Sequence, residues 1–259
     1  MSIWTVAGRV RNLAYIGSSQ QIRALSDLRV GESDLVHRDG MRFLYVTVGV
    51  AETSLSTPQA FLGVDLGIVQ IATDFDGNGY AGKSLNRYRR RQLRIRARLQ
   101  SKGTKSAKRL LARRRRTESR HAANVNHVIA KRIVAEAART CRGIAVEDLT
   151  GIRDRVRLRK PQRAALHSWS FRQLSRFLTY KAAWAGVPLV EVDPRYTSQM
   201  CSRCGHLDKL NRPDQATFAC RSCGVVAHAD VNAAVNIAHR SAEGWGAVNR
   251  PYAASPCTQ

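Results

Sequence analysis

At 259 residues and 44% hydrophobic content the chain is long enough for one substantial domain plus a small satellite, which excludes a disordered basic tail. Lys and Arg number 43 against 19 Asp and Glu, leaving a net charge of +24 and a pI near 11.0. Such an excess calls for a polyanion, and nucleic acid is the common one because each neutralised phosphate releases a condensed counterion. No stretch approaches the roughly 18 to 20 apolar residues of a membrane span, no signal-peptide pattern opens the chain, and no long amphipathic helix suits a membrane surface. The expectation is a cytoplasmic protein, nucleoid-associated when bound, with no membrane partner.

Residues 1–40 show no clean period and allow only a few short strands or loops. From Met41, Phe43, Tyr45, Thr47 and Gly49 alternate with Leu44, Val46, Val48 and Val50, which predicts a buried or half-buried strand. Phe61 to Leu66 forms a second apolar run ending in Asp65-Leu66-Gly67. Ile68 to Thr73 continues it, and Asp76-Gly77-Asn78-Gly79 is a hairpin turn signal. Between Lys83 and Arg120, 17 of the 43 basic residues are opposed only by Glu118. Leu93, Ala97, Leu99, Leu110 and Leu111 give this stretch a thin apolar stripe, read as two basic helices broken near Gly103. Their arginines, Arg89, Arg90, Arg91, Arg94, Arg113, Arg114, Arg115 and Arg116, are candidate phosphate contacts, since blocks of like charge this dense are rarely kept apart by water alone.

Val125, Ile129, Ile133 and Ala137 recur at four-residue steps and predict an amphipathic helix over 122–140. A short strand, Ile144 to Val146, delivers Glu147-Asp148. After a basic loop (153–163), Ser168 or Ser170 caps a helix in which Phe171, Leu174, Leu178 and Ala182 share a face. Gly186 ends it, and Val187 to Val192 is the next strand, terminating at Asp193-Pro194. The succession reads as mixed α/β, helices packed on a sheet.

Cys201-x2-Cys204 and Cys220-x2-Cys223, with fifteen residues between the pairs, match a four-thiolate structural zinc site in spacing and count, with Gly205 and Gly224 where each knuckle turn needs a permissive backbone. Four thiolates fill a tetrahedron, so the ion is expected to be structural. His206 and His228 flank the knuckles as lesser candidate ligands, and a reducing compartment argues against disulfides. Asp65 inside an apolar strand needs a partner or a metal, because a buried lone charge is expensive. With Glu147 closing another strand and Asp230 opening a final helix, three carboxylates can converge on a pocket for two divalent ions about 4 Å apart, and such hard oxygen ligands favour Mg²⁺ or Mn²⁺. Each also has a local reading: a turn residue at Asp65, a strand-end charge at Glu147, an N-cap at Asp230.

In sequence order, Gly63-Val64-Asp65-Leu66-Gly67, Asn126-His127, Val146-Glu147-Asp148-Leu149, Trp169-Ser170-Phe171, Tyr180-Lys181-Ala182, Val192-Asp193-Pro194-Arg195-Tyr196-Thr197-Ser198, Cys201-Ser202-Arg203-Cys204-Gly205 and Asp230-Val231-Asn232-Ala233-Ala234 resemble the TnpB (OrfB) family of insertion-sequence transposase-associated proteins, itself similar to the RuvC half of type V CRISPR effectors. The resemblance implies an RNase H-like (RuvC-like) mixed sheet flanked by helices, with Asp65, Glu147 and Asp230 as catalytic trio and the cysteine quartet as an inserted zinc ribbon. It also implies cleavage of DNA directed by a guide RNA made from the transposon end, with base pairing supplying specificity and the protein gripping the backbone. The domain order implied is a short remnant of a wedge and recognition lobe (1–60), a nuclease domain (61–198) with a basic helical insertion (83–120), the zinc ribbon (199–226), a closing helix (227–240) and a tail (241–259). Two departures are visible: the stretch before Gly63 is short for the family, and His228-Ala229 stands where an aspartate-arginine pair often precedes the last aspartate. A zinc-ribbon binder without cleavage and a strand-transferring transposase stay open beside the endonuclease reading.

Overall fold

The structure, a computed structural model, describes residues 2–38, 40–50, 53–67, 69–150 and 171–249. The chain divides into two compact units, Met1–Glu52 and Thr53–Gln259. The first holds a hairpin of β1 (Ile3–Thr5) and β2 (Gly8–Val10), a helix α1 (Ser19–Asp27), and a ribbon of β3 (Arg29–Arg38) and β4 (Met41–Val48). Helix α1, missed in the sequence, starts at a capping box in which Ser18 and Gln21 satisfy each other's backbone N–H. No described residue of this unit is buried. A two-stranded ribbon has too little second layer to enclose a core, so β4 leaves Leu44, Val46 and Val48 half-buried and Phe43 and Tyr45 exposed.

The second unit is built on a mixed five-stranded sheet with β5 (Ala60–Asp65) at its centre. On one side β6 (Gln70–Asp74) pairs antiparallel with β5 and carries β7 (Gly79–Ala81), also antiparallel; on the other, β8 (Arg142–Glu147) pairs parallel and carries β9 (Leu189–Val192), parallel again. The Asp76-Gly77 turn works as its composition predicts: Gly77 is left-handed (φ 83°), and Asp74 Oδ1 accepts from the Asn78 amide at 2.8 Å. Ile68 to Thr73 is not a continuation of β5 but, from Gln70, the separate antiparallel strand β6.

Helices α2 (Lys83–Lys102) and α3 (Lys105–Arg113) are broken at Gly103, whose left-handed φ of 63° costs a residue without a Cβ nothing, and Thr104 caps the second through the Ala107 amide. Next come α4 (Thr117–Arg139) and α5 (Phe171–Trp184). The loop 153–163 and the capping serines 168 and 170 lie outside the described residues. Gly186, left-handed at φ 65°, follows α5 as expected. The last helix, α6 (Ala229–Asn249), runs past the expected end at 240. Among the described residues no helix is long and apolar enough to cross a membrane.

Strand alternation sorts the core into two layers. Leu62 and Val64 of β5 and Ile144 and Val146 of β8 face Ile129, Ile133, Leu174 and Leu178 of α4 and α5, and each such side chain contributes about 1.5–3 kcal/mol on full burial. Phe61 and Ala145 face the other way, onto Ile237 and Ala238 of α6. Gly63 shares that second face. A Cβ there would stand 1.9 Å from the Ala234 carbonyl oxygen and 2.7 Å from the Ala238 nitrogen, so helix backbone lies directly on strand backbone. Neither neighbour is a flexible side chain that can yield. Gly63→Ala is therefore expected to destabilise the second unit by about 3 kcal/mol, at the upper end of overpacking costs. Urea unfolding followed by circular dichroism measures it, and a change under about 0.5 kcal/mol, the range of an indifferent surface substitution, would remove the close contact.

Candidate functional site

Three elements meet at the carboxyl end of the central strands, where open α/β sheets characteristically place ligands. Asp65 ends β5, two residues beyond Gly63 and on the same face. Glu147 ends β8, two beyond Ala145. Asp230 lies in the first turn of α6, one turn before Ala234. The face of the sheet and the helix that covers it therefore bring together all three carboxylates singled out in the sequence. Their charges act on one another: the Asp65 carboxyl is pushed up to about 8, first by burial and then by Glu147 and Asp230, with Arg212 and the Leu66 backbone N–H opposing. Burial also raises Glu147, against a hydrogen bond from Thr197 and the charge of Arg240.

Several side chains that sequence reasoning left without a role fix this arrangement. The Thr197 hydroxyl donates to Glu147 Oε1, holding one carboxylate oxygen. Thr197 is in turn held by α6, where Asn236 Nδ2 donates to the carbonyls of Thr197 (2.8 Å) and Met200 (2.7 Å) and Asn232 Nδ2 to that of Met200 (2.8 Å). Two asparagines one turn apart inside a helix are poor helix formers, and that was the available signal for such bonds. Arg212 carried no signal. Its guanidinium Nη2 is anchored on the Gln215 carbonyl at 2.9 Å and reaches Asp230 Oδ1 at 3.4 Å. It sets a positive charge beside Asp230, and the donor set of the three carboxyls, all hard oxygen, is suited to divalent cations.

The four cysteines lie in the segment between β9 and α6, around the antiparallel hairpin of β10 (Thr217–Ala219) and β11 (Val226–His228). Their sulfurs all lie within 4.8 Å of one another, with Cys201–Cys223 at 3.7 Å and Cys204–Cys220 at 3.6 Å. A tetrahedron with bonds of about 2.3 Å has edges of about 3.8 Å, so the quartet could hold a metal such as zinc. Gly205 and Gly224, left-handed at φ 72° and 71°, close the two knuckles, each donating to the carbonyl of the first cysteine of its pair. Buried Asn211 joins them, donating to the His206 carbonyl at 3.1 Å and accepting from the Arg221 amide at 2.9 Å. Among the described residues this is the group tight enough to share a single ion; the carboxylates are spaced more widely.

The basic segment 83–120 divides its arginines. Arg90, Arg91, Arg94, Arg113, Arg115 and Arg116 are exposed. Arg89 is not: it is buried against Glu118 of α4, with Nε 3.6 Å from the carboxylate, and half-buried Arg114 donates to Gln92 Oε1 at 2.8 Å. The expectation of phosphate contact is corrected for Arg89, because an arginine one turn after buried Leu85 shares the face of α2 that packs on α4.

Residues 44–152 match the family model described as "Probable transposase" (OrfB, IS605), and residues 171–237 match that of the Cas12f1-like TNB domain. The chain is 46% identical over 114 residues to the CRISPR-associated endodeoxyribonuclease Cas12f1 of Sulfoacidibacillus thermotolerans, covering 44% of this chain and 26% of that protein. It is 30% identical over 208 residues to the "Putative RNA-guided DNA endonuclease InsQ" of Escherichia coli (strain K12), covering 72% of this chain and 51% of the relative. A TnpB-like protein of Methanocaldococcus jannaschii is 36% identical over 125 residues, covering 48% of this chain and 44% of the other. The chain thus spans about half the length, or less, of these curated relatives. In fold it is similar to a cryo-EM structure of the Cas12f1-sgRNA-target DNA complex, with a TM-score of 0.55 at 18% identity over 80% of this chain and 55% of that one. Two consecutive family matches and a TnpB-like relative make the chain similar to the TnpB/OrfB family of insertion-sequence transposase-associated proteins.

Proposed function

We propose that the chain is a transposon-encoded, RNA-guided DNA endonuclease, with an RNase H-like (RuvC-like) sheet, a catalytic trio of Asp65, Glu147 and Asp230, and a structural zinc in the cysteine quartet. The observation that carries the reading is the convergence of the three carboxylates at the ends of the two central parallel strands and the start of α6, where burial first, and then the charges of Glu147 and Asp230, push the Asp65 carboxyl up to about 8. The strand order, two antiparallel strands on one side of β5 and two parallel on the other, supports the fold assignment. The names of the relatives supply DNA as substrate and RNA as guide.

Two divalent cations, Mg²⁺ or Mn²⁺, would supply the Lewis acidity that activates a water and stabilises the departing oxygen of a phosphodiester. Asp65, which feels both other carboxylates, is the ligand the two ions would share, with Glu147 and Asp230 each holding one. Thr197 keeps one oxygen of Glu147 engaged and so fixes the direction of the other. Arg212 balances part of the charge on Asp230. The exposed arginines of α2 and α3 hold the phosphate backbone, and base pairing selects the sequence.

The chain purified with the RNA that accompanies it is expected to cut labelled target DNA in Mg²⁺. Asp65→Ala should lower the rate by at least about a thousandfold, since it removes the shared ligand on which positioning and charge stabilisation both depend. Joined rather than cut DNA ends would mark a strand transferase, and cutting that survives Asp65→Ala would remove the trio. Removal of zinc by a chelator should release one equivalent per chain and lower the midpoint of thermal unfolding; a midpoint unmoved by metal release would show that the quartet has no structural load.

The raised Asp65 carboxyl also makes a prediction for stability without divalent ions. Between about pH 4 and pH 8 the folded state holds a proton there that the unfolded chain has released, so stability falls as pH rises through this window. Asp65→Asn removes this titrating group. Its stabilisation should be largest at pH 8 and shrink towards pH 4 in thermal melts, and a gap independent of pH would contradict the buried, charge-crowded site.

A further inference from the structure

A cavity of about 730 Å³ opens beside the carboxylates, between the end of β8 and the exposed side of α5. One end is acidic, with Glu147, Asp148 and Glu191; the helical wall carries Arg172, Arg176 and Tyr180. The last three stand at four-residue steps and so share one face, each step rising about 6 Å, close to the spacing of phosphates along an extended strand. Arg172 and Arg176 are exposed.

Tyr180 is braced. Its hydroxyl is 3.2 Å from His127 Nδ1 on α4, and its ring meets Phe177 (6.0 Å between centroids, 81°) and Trp184 (5.6 Å, 79°) edge-on. The Lys181 ammonium stands 5.1 Å from the ring centroid, and His127 stacks on Phe177 at 3.7 Å. Burial, reinforced by Lys181, lowers the His127 pKa, which keeps the imidazole neutral at pH 7. His127, Tyr180 and Lys181, which the trio and the ribbon leave unused, thus form one cluster, and its tyrosine borders the cavity that Glu147 also borders.

We propose that this groove seats the single nucleic-acid strand that enters or leaves the carboxylate site, with Arg172 and Arg176 on successive phosphates and Tyr180 as the stacking surface for a base. Charge complementarity argues for that occupant. The arginine wall suits a backbone, the acidic end suits only the point at which divalent cations bridge carboxylate and phosphate, and a rigid aromatic ring beside cations takes any base through its π-face. The inference rests on the nuclease reading for which end of the strand matters, but its test does not need cleavage.

The full chain is titrated into a fluorescein-labelled 20-nucleotide oligothymidylate by anisotropy across a salt series, with Ca²⁺ in place of Mg²⁺ so that zinc stays bound and the strand stays whole. Arg172→Ala with Arg176→Ala is expected to weaken binding and to flatten the slope of log K against log salt by about 1.4, two single-strand phosphates' worth. Tyr180→Ala should weaken binding by about fivefold or more with the slope unchanged, while Tyr180→Phe, which keeps the ring, should bind within about twofold of the parent. Thermal melts confirm that each variant is folded; if Tyr180→Ala is not, the arginine pair and quenching of a 2-aminopurine base by the parent and by Tyr180→Phe decide. An unchanged slope in the arginine pair overturns the groove, as does parental affinity of a folded Tyr180→Ala or, where that variant is unfolded, no quenching of the base by the parent and Tyr180→Phe. Cutting that survives Asp65→Ala would strike the catalytic trio instead and leave this result standing.

Discussion

The contact on which the second unit depends is the approach of α6 to β5 at Gly63. A helix usually stands about 10 Å from a sheet because side chains fill the space between. Here the Ala234 carbonyl and the Ala238 amide occupy the volume that a Cβ on Gly63 would take, and Ala233, Ala234 and Ala238 keep that face of the helix thin. The depth of this contact decides how far Asp230, one turn towards the helix start, lies from Asp65, two residues further along the strand. It also sets the reach of Asn232 and Asn236, which hold the chain leaving β9 and with it Thr197 against Glu147. A helix seated a side chain's thickness further out would separate the carboxylates and loosen the start of the cysteine segment together.

A chain with a net charge of +24 has nonetheless gathered three acids at one point and raised one of them to about 8. Folding alone does not favour this, since burial and like charge both act against the ionised forms. Under the proposed function the arrangement has a reason: a polyanion is held all around a point and approached at that point only through cations. Arg212 extends the same logic: it comes from between the two cysteine pairs and touches Asp230, so the folding of the cysteine segment and the charge of the site are linked through one side chain.

What could be read in the sequence was whatever a short stretch of chain encodes by itself. The cysteine spacing fixes a knuckle without help from the rest of the fold, Gly103 and Gly186 punctuate helices locally, and the four-residue steps of Ile129, Ile133 and Ala137 mark a buried face wherever the helix docks. Asp65 stood out because a charge in an apolar strand demands a reason. Arg212 could not be found this way, because its role exists only when a loop folds back about one helix's width onto a residue eighteen positions later. Arg89 misled for the related reason that seven arginines around it are alike in sequence, and only the packing of α2 on α4 distinguishes the one that faces Glu118. Helix α1 had a legible capping box at Ser18 and Gln21, but in so short a helix Ile22 and Leu25 are the only large apolar residues, too few for a period to stand out.

The distribution of burial also separates two kinds of work. Helices α2 and α3 contribute only Leu85, Arg89 and Ala107 to the interior across 29 residues, whereas α4 alone buries seven side chains. The exposed arginines therefore ride on elements that the core scarcely needs, while the carboxylates sit where strand, helix and cysteine segment are most tightly joined. Charge on α2 and α3 can vary with little cost to the fold, so the phosphate contact proposed for these arginines can be tuned there independently of the site. No such freedom exists around Gly63, Asn236 or Thr197, where a change in packing is a change in the position of an acid.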